Sequence, residues 1–198
     1  MRPVLVALTA AGLLFATLPA QAAAKGDLHI TDLAGDANGI NDQELALPIP
    51  PKSTAPASIA SADILGIDVT TDYHKVGSKR VARGTKVVLR LAGPVQVGIN
   101  YGVTATAPAS CGDSTTIQLG YESLAKTRTA LAVCQAADPA GTGTTIGTTD
   151  TSGNTITWII AFGMKPGQVI THFYASSSVF VAGVFDACSS NGRYIYAK

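Results

Sequence analysis

From Asp63 to the end of the chain, apolar side chains recur at every second position. Leu65, Ile67 and Val69 share one phase, and Val87, Leu89 and Leu91 repeat it. Val95, Val97, Ile99, Tyr101 and Val103 alternate with Gln96, Gly98, Asn100 and Gly102. Thr115, Ile117, Leu119 and Tyr121 follow, then Leu131 and Val133, then Ile156, Trp158, Ile160 and Phe162. Successive side chains of a strand point to opposite faces, so this period of two marks half-buried strands. Val169 to Tyr174 and Val179 to Phe185 are apolar in both phases, which predicts interior strands covered on both sides. Between Phe162 and Val169, Gly163-Met164-Lys165-Pro166-Gly167 has Pro and Gly placed for a tight reversal. The expectation is an all-β fold, a single antiparallel β-sandwich of jelly-roll or immunoglobulin-like type with roughly eight to ten strands.

The N-terminus obeys a different pattern. Met1-Arg2-Pro3 precedes an apolar run from Val4 to Leu18, and Ala20-Gln21-Ala22 offers an A-x-A cleavage site. These are the parts of a signal peptide, predicting a leader at 1–22, with Ala24 as the second choice of cleavage site. The run is shorter than the roughly 18 residues that span a bilayer. The expected product is a secreted domain over residues 23–198, without integral membrane association. Loss of Arg2 with the leader lowers the 14 Lys/Arg by one, to match the 13 Asp/Glu. A balanced charge argues against a nucleic-acid partner, which usually requires a basic stripe. The single basic cluster, Lys75, Lys79, Arg80, Arg83 and Lys86, reads as a solvated connection between strands.

An exported chain favours disulfides. Cys111 and Cys134 flank one predicted hairpin and are expected to pair, leaving Cys188 as a buried thiol. Leu45 to Ser61 contains Pro48, Pro50, Pro51 and Pro56, which forbid a helix or a central strand, so this stretch is expected to form an extended strap.

One loop concentrates hard oxygen donors. Asp32-Leu33-Ala34-Gly35-Asp36-Ala37-Asn38-Gly39-Ile40-Asn41-Asp42 places short carboxylates and amides among glycines, and Asp63 stands at the head of the next apolar strand. Calcium takes six to eight such ligands. The loop is no EF-hand: counted from Asp36, Gly39 comes too early and Leu47 occupies the place of the bidentate Glu. Two readings stand, a structural calcium held by Asp32, Asp36, Asn38 and Asp63, or Asx-turns in which the same side chains bond their own backbone.

The opening D-x-x-G-D-x-N-G at Asp32, the Ala62-Asp63-Ile64 that begins a strand, the Lys165-Pro166-Gly167-Gln168 turn and the closing Phe185-Asp186-Ala187 together form a recognisable order. In this the chain resembles secreted bacterial β-sandwich domains of the DOMON-like and family 9 carbohydrate-binding group. The resemblance implies a jelly-roll-like sandwich whose N-terminal acidic segment holds a structural calcium through Asp32, Asp36, Asn38 and Asp63.

Catalytic signals are sparse. Ser123-Leu124-Ala125-Lys126 matches S-x-x-K but lies between strand-patterned segments, without the S-D-N and K-T-G partners. His29, His74 and His172 fall on three separate segments. Asp68, Asp113, Glu122 and Asp186 are available as acids, with nothing to single out a pair. Trp158 is in phase with the core, whereas Tyr194 and Tyr196 share a face near the C-terminus and are expected to be exposed as a ligand-stacking pair. The expected function is a secreted, non-catalytic module, calcium-stabilised, binding a carbohydrate or cell-surface ligand. The alternatives are a hydrolase with a site assembled from distant segments, or a structural envelope protein.

Overall fold

The computed structural model describes residues 26–35, 37, 60–107, 115–133, 144–161, 165–179 and 184–196. The expected leader, Asp36, Asn38, Cys111, Cys134 and most of the proline strap lie outside the described residues.

The described chain is all-β, with two antiparallel sheets facing one another across a single core. The first sheet runs in the order β1 (Leu28–Thr31), β2 (Ile64–Val76), β3 (Lys79–Leu91), β9 (Thr155–Ile160), β8 (Gly147–Ser152). The second runs β11 (Val184–Ser190), β10 (Val169–Val179), β4 (Ile99–Ala107), β5 (Thr115–Glu122), β6 (Thr127–Val133), β7 (Thr144–Thr145), with β12 (Tyr194–Ile195) paired to the start of β10. The total passes the expected range because β7 and β12 are two-residue strands with too few side chains to show a period. The chain crosses from the first sheet to the second after β3 and again after β9, returning to the first between β7 and β8. Because β3 pairs with β9 and β4 with β10, the two crossings from the first sheet to the second lie side by side.

Most of the alternation translates directly into the core. Ile67, Val69, Val87, Leu89, Leu91, Ile117, Leu119, Ile156, Trp158 and Ile160 are all buried. Trp158, fully buried on β9, reaches across the core and donates its indole N–H to the Gly120 carbonyl of β5 at 3.4 Å. Tyr101 of β4 donates to the Ser61 carbonyl at 2.9 Å, and Ser177 of β10 donates to the Ala62 carbonyl. These bonds fasten Ser61 and Ala62, at the end of the strap segment, onto the second sheet; Gly93 N–H, just past β3, adds a bond to the Ala60 carbonyl at 2.8 Å.

Several strands depart from the expected phase for identifiable reasons. A bulge between Ile64 and Gly66 puts Ile64 in the core and leaves Leu65 half-buried. In β6 the buried residues are Ala130, Ala132 and Val133, with Leu131 half-buried towards the sheet margin. Val97 is 71 % exposed, because β4 begins only at Ile99, after a turn through Gly98 at φ +93. β10 is flanked by strands on both edges, but its buried residues alternate with half-buried ones and His172 is exposed, so one face alone is buried where cover on both was expected; β11 is an outer strand of its sheet among the described residues. The Lys165-Pro166-Gly167-Gln168 turn is closed by Gln168 N–H to the Lys165 carbonyl at 3.0 Å, with Gly167 at φ +88, the type II combination of Pro and Gly.

Burial of Tyr101 has a consequence for pH. Loss of solvent, more than its neighbours, pushes the hydroxyl up to about 12 from an ordinary value of 10.0. An unfolded chain releases this proton near its ordinary value while the folded chain keeps it, so stability is lost as pH rises from there to the folded value. A urea titration is expected to show a fall of about 2 to 3 kcal/mol from this residue between those pH limits. In Tyr101→Phe that component of the alkaline fall disappears, and an unchanged slope would remove Tyr101 as its source.

Candidate functional site

The acidic loop and the head of β2 meet at one corner of the sandwich. Thr31 ends β1, and the chain turns at once: Asp32 N–H donates to the Leu65 carbonyl at 3.1 Å, extending the β1–β2 ladder past the last paired residue. Asp32 Oδ1 then accepts the N–H of the next residue, Leu33, at 2.9 Å, and Gly35 takes φ +80. Asp63, only 4 % exposed, accepts Gly35 N–H on Oδ2 at 2.6 Å across 28 positions of sequence. A buried carboxylate receiving a short charge-assisted bond fixes the turn against the sheet. The structure therefore brings Asp32 and Asp63 to one corner. Asp36 and Asn38 are outside the described residues, and among the described residues no group of three or more His, Cys, Asp or Glu is arranged to hold a metal ion.

A third carboxylate joins this corner from the opposite sheet. Asp186 of β11 is 5 % exposed and accepts Ile64 N–H on Oδ2 at 2.5 Å and Ala187 N–H on Oδ1 at 2.9 Å. It satisfies the backbone of β2 just after Asp63. The sequence shows Asp186 among several scattered acids; only the pairing of β10 with β11 carries it to the head of β2.

On the outer face of the first sheet, His29, Asp68 and Arg90 form a ladder across β1, β2 and β3. His29 Nδ1 lies 2.9 Å from Asp68 Oδ1, and Arg90 Nε lies 3.0 Å from Asp68 Oδ2, with Nη2 donating to the Ile30 carbonyl at 3.3 Å. His29 is half exposed and no nucleophile accompanies it in the ladder. Its role is cross-strand pairing, worth well under about 1 kcal/mol at such exposure.

The C-terminal tyrosines differ from the expectation of an exposed pair. Tyr194 is fully buried, its hydroxyl 2.8 Å from Thr71 Oγ1 and 3.5 Å from Thr85 Oγ1. β12 folds onto the start of β10 and presents Tyr194 inward, over β2 and β3, where burial raises its pKa. Tyr196 is half-buried; burial first, then the nearby Tyr73 and Asp72, raise its pKa. No stacking platform results from this pair. The S-x-x-K residues form the β5–β6 turn: Ser123 is buried and its Oγ accepts Ile99 N–H at 3.0 Å, while Lys126 takes φ 54. A helical Ser–Lys dyad is not formed.

An open groove of about 340 Å³ runs between β6 and β8, lined by Arg128, Ala130, Leu131, Gly147, Thr148 and Thr149 among others. Among the described residues, Arg128 is the one titratable side chain in its lining.

The basic cluster is not a loop. β2 and β3 are 13 residues each and continue as a paired hairpin beyond the core, with exposed residues from Tyr73 on β2 and a turn at Gly77-Ser78. Gly77 at φ +61 in the first turn position fits a type II′ reversal. Lys75, Lys79, Arg80 and Arg83 project from this arm, together with the exposed Tyr73, Val76 and Val81. Length of pairing, rather than composition, was the missing signal: Tyr73, His74, Lys75 and Val76 continue the β2 register, opposed by Ala82, Val81, Arg80 and Lys79 in turn.

Comparison with protein-family models, with curated proteins and with solved structures returned no match.

Proposed function

We propose that the chain is a secreted, non-catalytic β-sandwich module, stabilised by calcium at the Asp32–Asp63 corner, that binds a carbohydrate or other cell-surface ligand. The observation that carries this reading is the bond from Gly35 N–H to the buried Asp63 carboxylate, which ties the acidic loop to the head of β2. A cation ligated by Asp32, Asp36, Asn38 and Asp63 would find a donor set made wholly of oxygen, as a hard cation prefers. It would also relieve repulsion among carboxylates gathered at one corner. The resemblance to the DOMON-like and family 9 carbohydrate-binding group, with its jelly-roll-like sandwich, supports the same assignment of the loop.

Thermal unfolding with calcium or with chelator tests it. Calcium at 100-fold over its dissociation constant adds about 2.7 kcal/mol if it binds only the folded chain. The expected rise in midpoint is roughly 5 to 11 °C. Asp63→Asn retains an oxygen acceptor for Gly35 N–H while losing the charge, and Asp36→Ala removes a loop carboxylate; both are expected to abolish the rise. An identical midpoint with calcium and with chelator would reduce the loop to hydrogen-bonded turns.

A further inference from the structure

We propose that the β2–β3 arm is a docking element for an anionic lipid bilayer surface. The inference deepens the cell-surface part of the reading above and rests on it for direction, but does not use the calcium corner.

The arm leaves the sandwich where Thr71 and Thr85 last contact the core through Tyr194. At its root Arg83 pairs with Asp72, and Arg80 lies over the Tyr73 ring at 4.5 Å. These contacts and the unbroken register from Tyr73↔Ala82 to Val76↔Lys79 hold the hairpin extended. With Arg83 balanced by Asp72, Lys75, Lys79 and Arg80 remain along the arm without an ion pair among the described residues, and Lys86 adds to the positive charge at the root.

Cross-strand partners share a face, so Tyr73, Lys75, Arg80 and Ala82 occupy one side and His74, Val76, Lys79 and Val81 the other. Val76 is 55 % exposed and Val81 40 %, diagonal neighbours on the face that also carries Lys79, with Lys75 and Arg80 on the other face. Lysines along an unpaired strand edge deter aggregation. That explains the charges and leaves the valines unexplained, since two exposed β-branched residues beside an edge that no described strand pairs would promote pairing. A soluble polyanion likewise asks for cations alone. A bilayer surface asks for both: anionic headgroups attract the cations, and the acyl boundary takes the apolar tip while the long basic side chains reach back to the headgroups.

The test is co-sedimentation of the purified protein with vesicles of phosphatidylcholine, alone or with phosphatidylglycerol at about a third of the lipid. Binding is expected only to the anionic vesicles, and is expected to weaken as salt rises. Each cation removed costs about five-fold, so Lys75→Ala/Lys79→Ala is expected to weaken binding by about 25-fold. Val76→Ser/Val81→Ser is expected to weaken it by about ten-fold without changing the salt dependence. The arm buries little, so both variants are expected to keep the parent thermal midpoint, which separates lost docking from lost folding. Absence of binding to anionic vesicles overturns the proposal. So does binding that the lysine variant leaves intact. Tight binding to dextran sulfate, with vesicle binding insensitive to the valine variant, overturns it in favour of a soluble polyanion. A calcium-dependent midpoint alongside any of these results leaves the stabilised-module reading standing while the bilayer proposal falls.

Discussion

Trp158→Ala is expected to destabilise the fold by about 3 to 5 kcal/mol, the range for deleting a large aromatic from a packed core. Trp158 is fully buried at the middle of β9, with Val87 of β3 on one side and Thr149 of β8 on the other. Its ring fills the space between the sheets and its N–H meets the Gly120 carbonyl at 3.4 Å. Truncation opens a cavity that rigid strands on both sides close poorly, and it removes the donor facing that carbonyl. For a domain of this size the midpoint is expected to drop by roughly 6 to 20 °C. Trp158 is the single tryptophan of the chain, so the parent is followed by its fluorescence and both proteins by far-ultraviolet circular dichroism. Trp158→Phe keeps most of the volume but not the donor, and is expected to fall between the two. A loss below about 1 kcal/mol for Trp158→Ala would show that this ring does not bridge the sheets.

That expectation was legible in the sequence, since Trp158 stands in phase with Ile156 and Ile160, and all three are buried. Period-two patterning reports which residues share a face and is silent on what covers that face. Tyr194 and Tyr196 illustrate the difference. Their spacing places them on one side of a strand, yet β12 closes over Thr71 and Thr85, residues more than a hundred positions earlier, and Tyr194 becomes core. Bulges are equally invisible to a period: one extra residue at Leu65 transfers the buried position to Ile64. At the acidic corner the convergence of Asp32 with Asp63 was legible as clustering of donors at either end of one connection. Asp186 was not, because its place depends on the fold of the second sheet.

Gly66→Ala is expected to detach β1 and, with it, the acidic corner. Gly66 pairs with Thr31 and holds φ +138, a region open in practice only to glycine. A Cβ there would fall on the Ile30 carbonyl oxygen, well inside contact distance, and 2.8 Å from Arg90 Nη2. The arginine can swing away; the carbonyl belongs to the β1 ladder and can yield only by moving the strand. Backbone strain of about 1 to 3 kcal/mol adds to the lost pairing, so a total above about 3 kcal/mol is expected. Displacement of β1 pulls Asp32 N–H from the Leu65 carbonyl and weakens the grip of Asp63 on Gly35. Limited proteolysis is therefore expected to cut near residues 28–35 in the variant before the sandwich core unfolds, because a detached edge strand opens locally. Any calcium-dependent rise in midpoint is expected to vanish along with the strand, although no acidic residue has been changed. If Gly66→Ala unfolds with the parent's midpoint and resists cleavage there, β1 does not sit against this glycine, and the geometry assigned to the corner fails with it.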